Sequence, residues 1–184
     1  VSFQAIHRPT PAALASVLAL SLGILLAACS PTLNWRQVHP EGVDMTVLLP
    51  CKPDRASKSV PLGGRETRLS MTGCEAGGAM YALAVAELSD AGSVGEVLAQ
   101  WQALTLTHMR ADASTQQRKP MPVPGADGPS PLLLSARGSH PDGQAIEGQA
   151  LFFARGARVF QAVIYAPRIN ADAAETFFGG MKLP

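Results

Sequence analysis

The chain has 184 residues, with 15 Lys and Arg against 14 Asp and Glu, a formal net charge of +1 and 47 % hydrophobic side chains. That length suits one domain with a workable core. The balanced charge excludes the basic excess that a nucleic-acid-binding chain carries, so no nucleic acid is expected as a partner.

Ala12 to Ser30 is an apolar run, preceded by His7 and Arg8 and closed by Leu26-Ala27-Ala28-Cys29. A basic start, an apolar middle and small residues before a cut are the build of a secretory signal. The competing reading is a membrane-spanning anchor, which needs about 20 apolar residues. The run stops at Ala28 after 17 and contains Ser16, Ser21 and Gly23, so its length favours a cleaved signal. Its last four residues resemble the bacterial lipobox, in which the enzyme cuts before a cysteine carrying a diacylglyceryl thioether. The resemblance implies a lipoprotein signal peptide over residues 1–28, lipidation of Cys29 and a membrane partner held through it. Ser30, in place of aspartate, implies export to the periplasmic face of the outer membrane of a Gram-negative bacterium. Two or three acyl chains hold a protein firmly, since each buried methylene contributes about 0.8 kcal/mol.

Without residues 1–28, 156 residues remain, with fourteen basic and fourteen acidic side chains. Residues 29–40 read as a lipidated tether broken by Pro31 and Pro40, with Trp35 either docking on the domain edge, the plainer reading, or resting at the lipid headgroups. Residues 41–184 read as a single α+β domain. Val43 to Leu49 alternates apolar and polar and predicts a strand, stopped by Pro50 to Pro53. A polar loop is expected through Gly64, then a strand over Arg68 to Thr72 and a turn at Ala76 to Gly78. Met80 to Leu88 is apolar on both faces, which predicts a central strand whose alanines let a helix lie close.

Ser93 and Glu96 read as a capping box ahead of a helix running to about Ala111, with Val94, Val97, Leu98, Trp101 and Leu104 on one face. Lys119 to Pro131 holds five prolines and reads as an exposed loop or irregular edge segment. The rest predicts a meander: strands over Leu132 to Arg137, Gln144 to Ala154 and Val159 to Ala166, with turns at His140 to Gly143 and Arg155 to Arg158. Asn170 caps a last helix through Phe178, ended by Gly179 and Gly180.

With Cys29 assigned to lipid, Cys51 and Cys74 are an even pair in an oxidising compartment, and a disulfide is expected. A bridge closing the 24 residues from 51 to 74 stabilises by roughly 3 kcal/mol on the chain-entropy model. The cysteines lie just past the ends of the first and second predicted strands. Bonding is easy if those strands are parallel or separated in the sheet, or if a bend mimics that arrangement, with Cα atoms within about 7 Å.

Several segments together are similar to the PsbP-like superfamily, an α/β/α sandwich that includes small bacterial lipoproteins. They are Leu48-Leu49-Pro50-Cys51-Lys52-Pro53, where relatives often show Phe-Pro-Gly-Lys-Pro, then an early hairpin, a long helix, the meander, and the closing segment Ala173 to Leu183. The resemblance implies a mainly antiparallel β-sheet sandwiched by helices. It also implies a non-enzymatic domain that binds something, with no catalytic residue and no cofactor.

No reaction motif stands out. His39, His108 and His140 lack metal-ligand spacing, so no metal is expected, and no Gly-x-Ser-x-Gly occurs. The candidate site is the pair Arg155 and Arg158 in one turn, joined by Arg137 and Arg168. It reads either as a solvated, charged hairpin tip, the plainer reading, or as a site for an anionic lipid headgroup, a lipopolysaccharide phosphate or an acidic envelope protein. Two function classes follow: a membrane-anchored envelope lipoprotein acting as a binding or scaffolding module, and a periplasmic enzyme without a recognisable motif. The second requires a cleft holding at least two of the three histidines with acids nearby.

Overall fold

A computed structural model describes residues 32–184, and Cys29 with the segment before it lies outside the described residues. Leu33 to Pro184 form one compact unit. Its strands are β1 (Arg36–Val38), β2 (Val47–Leu49), β3 (Asp54–Leu62), β4 (Arg65–Ala76), β5 (Ala79–Glu87), β6 (Gln117–Pro120), β7 (Leu132–Ser139), β8 (Ala145–Arg155) and β9 (Arg158–Ala166). Two α-helices accompany them, α1 (Val94–His108) and α2 (Ala171–Gly179). Strands β3 to β9 make one sheet in the order β3-β4-β5-β9-β8-β7-β6, every neighbouring pair antiparallel. The chain is therefore α+β, with a seven-stranded antiparallel sheet and two helices.

Alternation along the inner strands sends successive side chains to opposite faces, and each face has its own cover. On β5, Ala84 and Ala86 join Val97, Leu98 and Trp101 of α1 in one buried cluster. Tyr81, Leu83 and Val85 of the same strand join Phe177 and Phe178 of α2 in the other. The small alanines let α1 lie close, and Trp101 meets Phe152 of β8 edge-on at 6.3 Å. A buried polar pair ties α1 to β9: Gln161 Nε2 donates to Thr105 Oγ1 at 2.7 Å, and that hydroxyl donates to the Trp101 carbonyl. On the opposite face Tyr81 packs edge-on to Phe177 at 5.5 Å and to Trp35 at 6.1 Å. Trp35 thus docks on the domain, as expected.

The helix starts differ from one another. Asn170 caps α2 as the sequence predicts, its Oδ1 accepting from the Ala173 N–H at 2.9 Å. Ser93 does not cap α1. It already has helical dihedrals (φ −85°, ψ −5°), whereas a side-chain cap needs an extended residue. Asp90, extended, takes the role one turn earlier and accepts from the Gly92 N–H, opening a short 3₁₀ turn over Ala91–Ser93. The helix also ends earlier than Ala111. Its close is a Schellman pair, Ala111 N–H to the Leu106 carbonyl and Arg110 N–H to the Thr107 carbonyl, with Arg110 at φ 46°.

The amino-terminal part departs most from the sequence reading. The predicted strand over Val43 to Leu49 is a strand only at Val47–Leu49, and it pairs with β1, inside the stretch read as a tether. Neither joins the large sheet. The segment read as a polar loop is β3, paired residue for residue with β4 from Asp54↔Gly73 to Leu62↔Arg65. Cys74 accordingly lies inside β4, not past a strand end. Cys51 precedes β3, and the two are disulfide-bonded with Cα atoms 6.0 Å apart. The bridge therefore closes the open end of an antiparallel hairpin, where two chain segments already run side by side. The two strands of the sequence expectation, now β2 and β4, do lie apart, in different sheets, and the Cα distance falls within the expected limit of about 7 Å.

Candidate functional site

A cavity of about 570 Å³ lies at one end of the sheet on the α1 side. That volume falls in the range of small-molecule sites. It is built by the end of α1 and the residue after it (His108, Met109), the end of β7 and the turn after it (Ser139, His140), and the end of β4 and the turn after it (Glu75, Gly78). The end of β9 and the residue after it (Tyr165, Pro167) and the starts of β5 and β8 (Met80, Ile146) complete it. Met80, Met109 and Ile146 are its larger apolar side chains, and Glu75, His108, Ser139, His140 and Tyr165 its polar ones.

The position of α1's end is fixed by main-chain bonds. Ser139 N–H donates to the Met109 carbonyl at 2.9 Å, and Asp112 N–H donates to the Arg137 carbonyl at 2.8 Å. The segment after α1 thereby pairs with β7 beyond the reach of β6. Asp112 holds the following turn, accepting from the backbone N–H and hydroxyl of Ser114, and those bonds keep its carboxyl below the usual range. This close approach needs two glycines. A Cβ on Gly138 would run into the Met109 carbonyl, and one on Gly148 into the Met109 thioether. Burial pushes the Tyr165 phenol up to about 12, so it is a neutral hydroxyl at any physiological pH.

His108 falls near the end of a predicted helix and His140 in a predicted turn 32 residues on, so nothing in the sequence brings them into one cleft. The usable signal was Gly138 and Gly148, glycines inside strands, which mark places where another segment comes close. His39 stays apart from the cleft, exposed and within 3.5 Å of the Gln37 side chain.

The four arginines expected to cluster do not. Arg155 and Arg158 face each other across the β8–β9 turn. Arg137 is opposite Glu147, eight residues back along β8, about 26 Å away at the usual strand rise. Arg168 lies beyond the end of β9, next to Ile169, whose N–H donates to Glu147. Two of the four are neutralised within the chain: Arg158 pairs with Glu87 at 3.3 Å and Arg137 with Glu147 at 3.4 Å. The cavity beside the Arg155 turn also has Asp44, Glu87 and Asp127 in its lining, so carboxylates outnumber guanidiniums there.

Among the described residues, no group of three His, Cys, Asp or Glu side chains is placed to hold a metal. No helix among them is long and apolar enough to cross a membrane. No protein-family model matches the chain, and no curated protein matches it in sequence.

Proposed function

We propose that this chain is a lipid-anchored envelope protein, held through Cys29 at the periplasmic face of the outer membrane, whose PsbP-like domain is a non-enzymatic binding module. Its ligand is a small molecule with an apolar body, taken into the cleft at the end of α1. The observation that carries the reading is the make-up of that cleft: a cavity of about 570 Å³ with a mostly apolar lining and a few polar groups among it. The Cys51–Cys74 disulfide supports an extracytoplasmic location, since such bonds persist in oxidising compartments. The one-helix-per-face sheet supports the PsbP-like assignment.

A photoactivatable fatty acid tests the cleft. It should label peptides containing Met80, Met109 and Ile146 in the full chain, and Met80→Trp should abolish that labelling by filling the space. Adducts spread evenly over the surface would contradict the reading. The anchor is tested separately: Cys29→Ala should stall processing or release the protein from membranes, and normal processing with membrane retention would count against it.

The second reading, a periplasmic enzyme, draws on one observation. His108, His140 and Glu75 line the same cleft, which meets the condition set for it by the sequence. It predicts turnover of an ester or amide substrate that His108→Ala and His140→Ala each abolish.

A further inference from the structure

The sheet face that carries α2 is covered only in part. Strand register sets Arg55 opposite Thr72, Ser57 opposite Ser70 and Ser59 opposite Arg68, and Ser70 in turn lies opposite Val85. Directly opposed residues share a face, and every second residue along a strand returns to it. Val85 belongs to the core beneath α2, so these polar side chains project to that same side. There β3 lies open: Arg55, Ser57, Ser59 and Arg68 are exposed. The turn Pro40–Gly42, between β1 and β2, lines the same hollow, which is open to solvent and measures about 380 Å³.

We propose that this hollow binds a phosphate-type oxyanion, supplied by the headgroup of an anionic phospholipid, with Arg55 and Arg68 clamping it above Ser57 and Ser70. The serine row lies between the two arginine rows, and Arg55 and Arg68 line the same hollow as Ser57 and Ser70, so two long guanidinium stems are within reach of it from either side. A guanidinium offers a planar fork of donors that matches phosphate oxygens two at a time. The Ser57 and Ser70 hydroxyls, 3.4 Å apart, can each turn a donor toward a remaining oxygen. The charge is free to act. Among the described residues neither Arg55 nor Arg68 forms an ion pair, whereas Arg137 and Arg158 do. Glu41 is the one carboxylate in the lining.

The phosphate chemistry comes from the hollow itself, while its source in a lipid rests on the anchored location proposed above. With Cys29 lipidated, the chain from there to Leu33 spans at most about 14 Å, which keeps the domain beside a phosphate-bearing surface.

The test uses the full chain in neutral detergent micelles, so it does not depend on the anchor. Phosphatidylglycerol, phosphatidylcholine and inorganic phosphate are titrated in turn, and the Arg55 and Arg68 Nε–H and Ser57 and Ser70 amide resonances are followed. Phosphatidylglycerol should shift them saturably and phosphatidylcholine should not. Arg55→Gln with Arg68→Gln should weaken the effect at least about tenfold, with two charge-assisted contacts removed and an unchanged thermal midpoint. Equal binding by that double variant would overturn the site, as would shifts confined to His108 and His140. An equal response to inorganic phosphate at matched concentration would overturn the lipid source.

Discussion

Cys51 and Cys74 sit across the open end of the β3–β4 hairpin with Cα atoms 6.0 Å apart, bonded just outside the Asp54↔Gly73 pair that begins the ladder. Strand β3 is the sheet's edge, and six of its nine residues in succession are exposed, so it has little apolar burial of its own to hold it. The covalent link compensates by restricting the unfolded chain. The mature protein should contain no thiol that reacts before reduction, and Cys51→Ala with Cys74→Ala should lower stability by roughly 2–4 kcal/mol. Reactive labelling of two cysteines in the unreduced, denatured protein would refute the bond.

Gly138 is required by the approach of α1's end to β7. Gly138→Ala places a methyl against the Met109 carbonyl, a backbone atom held by the Ser139 N–H, so relief requires moving the helix end itself. The substitution should destabilise by about 1–3 kcal/mol and distort the cleft. Gly143→Ala tests a different cost, because its φ of 87° strains a side chain in open space and should leave the cleft intact. Chemical denaturation of both, with photolabelling as the cleft readout, separates the two effects.

Both tyrosines of the chain have phenols raised by burial, Tyr165 to about 12. A phenol whose folded value exceeds its unfolded value near 10 stabilises the fold in full below about pH 10, and that stability is lost as pH rises through the folded value. For Tyr165 the loss amounts to about 3 kcal/mol. Ultraviolet titration of the folded protein should show less phenolate at about pH 10 than free tyrosine does, with the Tyr165 phenolate appearing only near pH 12. Tyr165→Phe should flatten the decline in stability between about pH 10 and 12. Ionisation of both phenols near 10 in the folded protein would contradict it.

Much of the sheet was legible because its inner strands alternate. Met80 to Leu88, Gln144 to Ala154 and Val159 to Ala166 all carry apolar residues on two faces, and all three form inner strands. Asn170 was legible as a cap for the same kind of reason, since a short side-chain acceptor before Ala171 has one obvious donor. Strand β3 was not legible. At the edge, with neither side buried, Asp54 to Pro61 has no period to read, and its strand character comes only from the ladder with β4. Ser93 misled because a capping box specifies residue types and not dihedrals. The cleft was hidden because His108 and His140 are 32 positions apart in sequence and meet only through the docking of the α1 end on β7. Arg155 and Arg158 stood out as neighbours in sequence, while Arg55 and Arg68 come together only through hairpin register.

The most direct measurement is native mass spectrometry of the full chain extracted from bacterial envelopes in mild detergent. The account predicts a mature species beginning at Cys29 with the added mass of a diacylglyceryl group, carrying one noncovalent small molecule that Met80→Trp displaces. A ligand retained undiminished by Met80→Trp, or a wild-type protein that carries none, would contradict the assignment of the cleft as the binding site.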